Sequence, residues 1–340
     1  MKQTLLILFF TFVLAGFLKG QTGGDGIFTF LQLTNSAKAA ALGGVQVALP
    51  DPDPELILQN PALLSSDMNN SLSVNYVRYL ADIGFGYGCY ARDLGKYGRV
   101  AIGVQFVDYG QFVAASETGQ ITGSFSASDY ALTLTYAKQL GNHISAGVTL
   151  KPVYSHLESY RSFGFAADLG ISHQSEDQLT NLGLCFKNLG AQLTTYYDGG
   201  TREKLIGSLQ LGFTHQLQHA PFRWSVTAYD LTQWDTAVTE TDPNGITTHN
   251  EDNAPCPSLM RHLALGAEIF PENKLTLRFG YNYRRHADLS TGDQTGLAGF
   301  TTGLGIKTQA FRFNYSLSGY SRSGLVHNFS ITASLSHFRK

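Results

Sequence analysis

The chain has 340 residues, of which 15% are charged and 12% aromatic, and its formal net charge is −2. Roughly a quarter of the residues of an ordinary soluble domain are charged, so this composition argues against a soluble surface. The small net charge offers no electrostatic footprint for nucleic acid, and we expect no nucleic-acid partner. Mean hydropathy is −0.08, which fits a β-barrel whose polar and apolar faces cancel.

Residues 1–20 are predicted to be a secretory signal peptide. Lys2 supplies the positive start, residues 5–18 the apolar region and Gly20 the small residue before cleavage. The alternative, a retained membrane anchor, is disfavoured because the apolar run is shorter than the roughly 18 residues of a spanning helix. The mature chain would then begin near Gln21, outside the cytoplasm.

Residues 21–67 lack strand alternation and are predicted to form a plug or hatch at the periplasmic mouth of a barrel. Residues 36–42 favour a short helix, capped by one of residues 34–36 and ended by a glycine pair at 43–44. Proline-rich turns follow this helix. The alternative is a flexible leader. The motif assigned to the plug consists of Asn60, Pro61 and Ala62.

From residue 71 onward, apolar and polar residues alternate with period two, which predicts β-strands. Residues 128–152 show the pattern clearly, because two alternating runs flank Gly141-Asn142, a pair suited to a hairpin turn. Tyr130 and Tyr136 end one apolar side, as is typical of a strand that crosses a bilayer. Fourteen strands are predicted, at 71–80, 84–92, 97–108, 127–140, 143–156, 162–173, 178–188, 204–217, 221–230, 261–270, 273–285, 299–308, 310–319 and 325–338. The predicted fold is all-β, a single fourteen-stranded antiparallel transmembrane β-barrel over residues 68–340.

The connections between these strands support the barrel. Every even-numbered connection is short, as periplasmic turns are, and the long ones are all odd-numbered, as extracellular loops are. The long extracellular loops are predicted at 109–126, 189–203, 231–260 and 286–298. An immunoglobulin-type or propeller protein has no reason to sort its connections in this way.

Charged residues in the predicted strands share the parity of the polar face. A Lys or Arg that faces lipid near the midplane costs roughly 2–4 kcal/mol, so these side chains must point into the lumen. Because both signs occur, an ion-paired interior that a plug could close is favoured over an open channel selective for one charge. The predicted lumen charges are Lys151, Asp168, Lys187, Arg223, Glu268, Arg278, Arg284, Lys307 and Arg312.

The sequence offers no catalytic or metal-binding pattern. No G-x-S-x-G elbow occurs, and His215 and His219 have a metal-ligand spacing that works on a helix, whereas they flank a predicted turn. Acidic residues between 235 and 252 could hold Ca²⁺, but no Ca²⁺-loop spacing is present and a solvated loop is favoured. The glycine-rich stretch 84–88 is interpreted as barrel wall with small residues inward. We therefore expect no enzyme activity, no cofactor and no metal.

The outer loops carry the predicted partner-binding surface. Residues 236–241 and 246–249 flank the turn-forming sequence 242–245, which predicts a hairpin above the membrane whose strand edges can bind a partner strand. Aromatic and apolar residues beside it could anchor a partner or instead form an interfacial girdle. The candidates are Phe112, Ile121, Phe125, Tyr196, Tyr197, Trp234, Pro243, Asn244 and Ile246.

The N-terminal run 40–44, the acidic pair Asp51 and Asp53 and the stretch 60–64, ahead of fourteen strands, resemble the FadL-like outer-membrane proteins. Within that group the sequence is most similar to the PorV/PorQ family of the type IX secretion system, and residues 24–31 share this similarity. The resemblance implies an outer-membrane barrel without enzyme activity. It further implies that the barrel holds a PorZ-like surface protein, and through it a PorU/PorV sortase complex.

That attachment complex processes secreted cargo and joins it to anionic lipopolysaccharide, so the resemblance also implies contact with outer-membrane lipid. The alternative function is a FadL-type transporter of hydrophobic small molecules, with residues 21–67 as a movable hatch. The predicted charged lumen argues against this alternative, although a lateral opening in the wall would bypass the objection.

Overall fold

A computed structural model describes residues 26–79, 83–116, 118–234, 239–241, 247–249, 257–289, 297–321 and 324–338. The predicted fold class is confirmed: fourteen antiparallel strands close into one barrel. The strands are β1 (Ser71–Arg78), β2 (Gly84–Asp93), β3 (Arg99–Ala115), β4 (Ile121–Gln139), β5 (Ile144–Leu157), β6 (Tyr160–Gln174), β7 (Thr180–Gln192), β8 (Ser208–Gln216), β9 (Phe222–Ala228), β10 (Leu263–Ile269), β11 (Leu275–Asn282), β12 (Phe300–Lys307), β13 (Phe311–Ser321) and β14 (Gly324–Ser334).

The barrel closes where the last strand pairs with the first. Ser334 of β14 lies opposite Ser71 of β1, and the register continues to His327 opposite Arg78. Closure pairs every barrel strand on both sides, so the wall has no free edge, as a lipid environment requires. Among the described residues, no helix is both long enough and apolar enough to span a membrane.

The two faces of the wall are inverted relative to a soluble protein. In β1 the outward side chains of Leu72, Val74 and Tyr76 are 41–48% exposed, whereas the inward Ser73 and Asn75 are 1% exposed. Large apolar residues on the outside and buried polar residues inside are the arrangement expected when lipid surrounds the barrel. The alternation read from the sequence therefore has the predicted orientation.

The strand bounds differ most from prediction above the long-loop end of the barrel. The predicted loop 109–126 is mostly strand, because β3 continues to Ala115 and β4 begins at Ile121. This part of the hairpin lies beyond the neighbouring strands, so neither face has to be apolar and the period-two signal disappears. Two predicted strands also end early, at Asn282 and Ser334, and short helices follow them.

In strand β2, the large side chains face the lumen, where small residues were predicted. Phe85 and Tyr87 face the lumen, 4% and 1% exposed, so the interpretation of stretch 84–88 with small residues inward was wrong. The Tyr87 hydroxyl lies 3.1 Å from the Thr133 hydroxyl of β4, across the inner face of the wall. A water-filled lumen would disfavour these large inward side chains. They are tolerated because they contact protein inside the barrel.

That protein is the N-terminal segment, residues 26–68, which lies inside the barrel and is called the plug below. It contains helix α1 (Ala37–Ala41) and four 3-10 helices, at Thr29–Gln32, Pro54–Leu58, Pro61–Leu63 and Ser66–Met68. Its first residues, Gly26–Ile27, pair in parallel with Lys204–Leu205 of the loop after β7. Outside the plug lie α2 (Pro257–Met260), α3 (Tyr283–Leu289), 3-10 helices at Gly95–Tyr97 and Leu335–Phe338, and a small hairpin of Thr239–Thr241 with Thr247–His249.

Local sequence signals fold the plug as predicted. The Ser36 hydroxyl accepts a hydrogen bond from the Ala39 amide at 3.2 Å and caps α1. Gly43 and Gly44 follow the helix with φ of 91° and 96°, a region that glycine enters without steric cost. Apolar side chains of the plug form a small buried core of its own, composed of Ala39, Leu42, Leu49, Leu56 and Leu63.

Glycines of the wall let the plug backbone approach closely. A Cβ on Gly183 of β7 would lie 2.0 Å from the Val47 carbonyl oxygen, and a Cβ on Gly170 of β6 would lie 1.9 Å from the Asn60 side-chain oxygen. Both distances are far inside van der Waals contact. Any side chain at these positions therefore has to displace the plug.

We predict that Gly183→Ala loosens the plug, because overpacking against backbone costs roughly 1–3 kcal/mol or more. Lys38 is buried in the plug, 5% exposed, so trypsin cleavage after Lys38 in detergent-solubilised protein measures plug release. Cleavage should rise in this variant. Gly88→Ala is the matched control, since its Cβ would meet nothing within 4 Å. Equal cleavage in both variants would contradict the close docking of the plug.

Candidate functional site

In the part of the chain that the structure describes, two sizeable cavities lie at opposite ends of the plug. One, about 390 Å³, opens at the short-turn end and is lined by residues that include Lys38, Asp51 and Arg223. The other, about 350 Å³, lies at the long-loop end and is lined by residues that include Gln59 and Lys187. We call them the short-turn cavity and the long-loop cavity. A solute that crossed the barrel along its axis would have to displace the plug.

An ion-pair network holds the plug at the short-turn end. The Arg223 guanidinium donates two hydrogen bonds to the Asp51 carboxylate, at 2.9 and 2.8 Å. Its Nε donates to Glu268 at 2.5 Å, and Arg278 donates to the other oxygen of Glu268 at 2.8 Å. These arginines and Glu268 are cross-strand neighbours on β9, β10 and β11. One plug carboxylate is thus bound by a row of charges on the wall.

The same network includes further plug residues. The Lys38 ammonium lies 2.7 Å from an Asp51 oxygen and also contacts Asp53. Burial alone would lower the pKa of Lys38, but the two aspartates outweigh it and raise the pKa above its usual value. Burial would raise the pKa of Asp51, yet Arg223 and Lys38 hold it well below its usual range. Arg312 donates to the Pro52 carbonyl oxygen, which adds a second contact between wall and plug.

The remaining predicted lumen charges lie in different surroundings. Lys151 and Asp168 form a buried ion pair at 2.6 Å on β5 and β6. Lys187 is buried beside the long-loop cavity. Arg284 is not on a strand: it lies on α3, where it pairs with Asp230 at 2.6 Å. Lys307 is exposed at the rim of the short-turn cavity.

The Asn60-Pro61-Ala62 motif docks the plug against the opposite wall. The Asn60 side-chain oxygen accepts from the Ala62 amide at 3.0 Å and caps the 3-10 helix Pro61–Leu63. Its amide nitrogen donates to the carbonyl oxygens of Val47, at 2.8 Å, and Ile171 of β6, at 3.3 Å. Asn60 therefore joins two plug segments and the barrel, and Gly170 leaves the space that it occupies.

Sequence reasoning missed an apolar part of the lumen. Plug residues such as Phe30 and Leu31 pack into a buried cluster with inward residues of the wall. The signal was present in β1 and β3, where Val77 and Val107 interrupt the polar parity of the inner face. The wall members of the cluster are Val77, Phe85, Val107, Ala131, Val153, Ala166 and Val326.

The hairpin formed by the ends of β3 and β4 projects beyond the barrel; we call residues 109–126 the ribbon. In the described part of the chain, β2 pairs with β3 only up to Asp108, and β5 pairs with β4 only up to Ala127. Phe112 and Phe125 lie opposite each other in the ribbon, with ring centroids 5.2 Å apart and nearly parallel planes. Val113 and Ile121 are 67% and 76% exposed. The ribbon therefore presents apolar side chains and two unpaired strand edges to solvent.

Other predicted partner-binding residues point in different directions. The Tyr196 hydroxyl lies 2.8 Å from the Ser155 hydroxyl of β5, and its ring packs on the apolar cluster, whereas Tyr197 is exposed. Trp234 is exposed and packs on the His262 ring, with centroids 4.7 Å apart. In the hairpin predicted within residues 231–260, Thr239–Thr241 pairs with Thr247–His249. Pro243, Asn244 and Ile246 lie outside the described residues.

Among the described residues, no group of three or more His, Cys, Asp or Glu side chains could hold a metal ion. Cys89 and Cys185 are free and buried in strands.

Fold and lumen together define a fourteen-stranded barrel closed by its own N-terminal plug. No protein-family model matches the sequence, and no curated protein matches it either. Among solved structures, the chain is similar to the toluene transporter TodX of Pseudomonas putida, with 16% identity, a TM-score of 0.50 and coverage of 88% of this chain and 96% of TodX. A deltaS2 mutant of the TodX monoaromatic hydrocarbon channel has a TM-score of 0.54 at 15% identity, over 88% of this chain and 97% of that one.

A FadL homologue of Pseudomonas aeruginosa has a TM-score of 0.50 at 13% identity, over 89% of this chain and 98% of its own. At such identities these similarities show the fold alone, which is that of the FadL-like barrels.

We predict that Asp51→Asn opens the barrel to ions. Removing one partner of a buried ion pair costs roughly 3–5 kcal/mol, and here it leaves Arg223 and Lys38 with less counter-charge. Single-channel recording in planar bilayers should show a closed wild type and ion-conducting openings in the variant. Asp67→Asn, an exposed plug carboxylate, is the matched control and should stay closed. A closed Asp51→Asn barrel would contradict the role given to this network.

We also predict that the docked plug becomes less stable as pH rises. The pKa of Glu55 in the plug is raised from 4.5 to about 7, mainly by burial and secondly by the negative charge of Asp53. The docked plug then binds more protons than the released plug between these two values, so its stability falls across that window and is constant above it. The difference is on the order of 3 kcal/mol. Trypsin cleavage after Lys38 should increase from pH 5 to pH 8 in the wild type and change less in Glu55→Gln.

Proposed function

We propose that the protein is a non-enzymatic outer-membrane scaffold that holds a surface protein through its projecting ribbon. The observation that carries this proposal is the ribbon itself. It exposes Phe112, Val113 and Ile121 beyond the barrel, and the Phe125 ring stacks on that of Phe112. Both faces of the ribbon thus carry apolar side chains, Phe112 and Phe125 on one and Val113 and Ile121 on the other, and exposed apolar surface is typical of protein-binding sites.

The backbone of the ribbon offers a second means of binding. Among the described residues, no neighbouring strand pairs with its outer edges beyond Asp108 on β3, or beyond Ser126 on β4, whose carbonyl oxygen still accepts from the Glu158 amide. A partner strand can add to such an edge, while alternate side chains give specificity. The pair of short strands Thr239–Thr241 and Thr247–His249 belongs to another predicted outer loop and supplies a further candidate contact.

The docked plug favours a scaffold function over a channel function. It is bound by the Arg223–Asp51 pair on one side and by Asn60 on the other. A barrel so closed is suited to presenting loops at a fixed position. Signal-peptide features at the N-terminus, the apolar outer belt and the FadL-like fold support insertion in the outer membrane.

The finer assignment rests on the resemblance to the PorV/PorQ family. We propose that the partner is a PorZ-like surface protein, and that the barrel belongs to the attachment complex with the PorU/PorV sortase machinery of the type IX secretion system. The residues that carry this resemblance, the Asn60 motif, the Asp51 and Asp53 pair and residues 40–44, all lie in the plug. The complex would process secreted cargo and join it to anionic lipopolysaccharide.

The second candidate is a transporter of small hydrophobic molecules. It is favoured by the fold, which resembles that of the toluene transporter TodX. Such a solute would have to displace the plug or leave through the wall. Uptake of a labelled fatty acid or toluene into liposomes that contain the barrel would support transport and would not require the ribbon.

We predict that replacing the apolar residues of the ribbon releases the partner. In Phe112→Ser/Val113→Ser/Ile121→Ser/Phe125→Ser, retention of the surface protein on cells should fall about tenfold or more, because interface aromatics often contribute 2 kcal/mol or more, roughly a thirtyfold effect each. Quantitative blotting of cells and medium measures retention. Affinity purification from detergent-solubilised outer membrane identifies the partner.

Two further variants locate the contact. Thr118→Ala/Gln120→Ala changes the polar tip of the ribbon and keeps its apolar face, so it should retain the partner. Deletion of residues 235–253 removes most of the other predicted loop. If that deletion alone releases the partner and the ribbon variant keeps it, the contact lies on the loop and the ribbon assignment is wrong.

A further inference from the structure

The long-loop cavity is lined by a largely buried lysine that has no hydrogen-bond or ion-pair partner among the described residues. Lys187 of β7 lines this cavity and is only 6% exposed, and no described residue forms a hydrogen bond or ion pair with it. The nearby carboxylates are occupied: Asp168 pairs with Lys151 at 2.6 Å and Asp230 with Arg284 at 2.6 Å. A buried charge is costly unless it is paired, so the cavity calls for a negative group at Lys187.

A second polar atom in the same cavity also lacks a partner. Gln210 of β8 uses its amide nitrogen to donate to the Ser208 hydroxyl at 3.0 Å, while its side-chain oxygen is buried and accepts from no described residue. Ser208 is the cross-strand neighbour of Lys187. Gln210 is the next inward residue on that strand. The wall therefore places one cationic donor and one neutral acceptor side by side.

The cavity has the size and the access that a small ligand needs. Its volume is about 350 Å³, and several of its other lining residues are polar, among them Thr34, Gln59, Asn188 and Asn282. Gln32, Asp288 and Leu289, which also line it, are exposed, so the cavity opens toward the long-loop side of the plug. A ligand can therefore enter from outside while the plug stays docked.

We propose that the long-loop cavity binds a small hydrophilic anion that also carries a hydroxyl or amino donor. Its carboxylate or other oxyanion binds the Lys187 ammonium, and its donor group binds the Gln210 oxygen. Such a ligand satisfies both unpartnered atoms, which a purely apolar acid does not. This site is separate from the ribbon and does not depend on the scaffold function.

The test measures binding of three probes to detergent-solubilised full-length protein by isothermal titration calorimetry. Gluconate has a carboxylate and hydroxyls, sorbitol has the hydroxyls without the charge, and octanoate has the charge on an apolar chain. We expect saturable binding of gluconate with one site per chain. Sorbitol and octanoate should bind about tenfold more weakly or not at all, since each lacks one hydrogen-bonding group that the site requires.

Variants assign the contacts. Lys187→Met should weaken gluconate binding about tenfold or more, and Gln210→Leu should weaken it severalfold while leaving octanoate unchanged. Lys96→Met, an exposed lysine at the short-turn end, is the matched control and should bind gluconate as the wild type does. Thermal unfolding of each variant checks the fold; if Lys187→Met does not fold, Gln210→Leu alone decides through its loss of preference for gluconate over octanoate.

Three results would overturn the proposal. One is the absence of saturable gluconate binding to the wild type. Another is gluconate binding that neither Lys187→Met nor Gln210→Leu weakens. The third is octanoate or sorbitol binding as tightly as gluconate, which would show that the cavity does not select for a charged and hydroxylated ligand.

Discussion

The closed lumen depends on complementary charge between wall and plug. Among the described residues, the wall contributes three arginines, Arg223, Arg278 and Arg312, and one glutamate, Glu268, to the ion-pair network at the short-turn end. The plug contributes Asp51 and Asp53 with a single lysine, Lys38. Each side thus carries an excess of the sign that the other lacks. Because unpaired charges are costly away from water, the wall favours a docked plug and the plug favours a lumen of this composition.

On the opposite side of the lumen, glycines of the wall and an asparagine of the plug hold the plug in place. Gly170 and Gly183 remove the side chains that would keep the plug backbone away from the wall, and Asn60 supplies hydrogen bonds across that short distance. Buried polar atoms are stabilising only when they are satisfied. The Asn60-Pro61-Ala62 motif therefore depends on the shape of the wall, because Asn60 fits only where the opposing residue is glycine.

The sequence predicted the wall well because lipid imposes a strict rule on one face of each strand. Where that rule ends, prediction failed: residues 109–115 and 121–126 are strand, yet above the barrel neither face has to be apolar. In β2 the inner face meets the plug, so Phe85 and Tyr87 could turn inward against the expected parity. Lumen charges such as Arg223 could be assigned from parity alone. Their partners could not, because pairing Asp51 with Arg223 joins residues far apart in sequence.

The ribbon and the long-loop cavity lie on the same side of the plug, and the barrel makes both possible. An isolated two-stranded ribbon is marginally stable in water, but here its strands continue into β3 and β4, which the closed wall holds in register from Arg99 opposite Ala137 to Asp108 opposite Ser128. The same wall keeps Lys187 and Gln210 at fixed positions on neighbouring strands. The docked plug separates this end of the barrel, with its ribbon and its cavity, from the short-turn cavity.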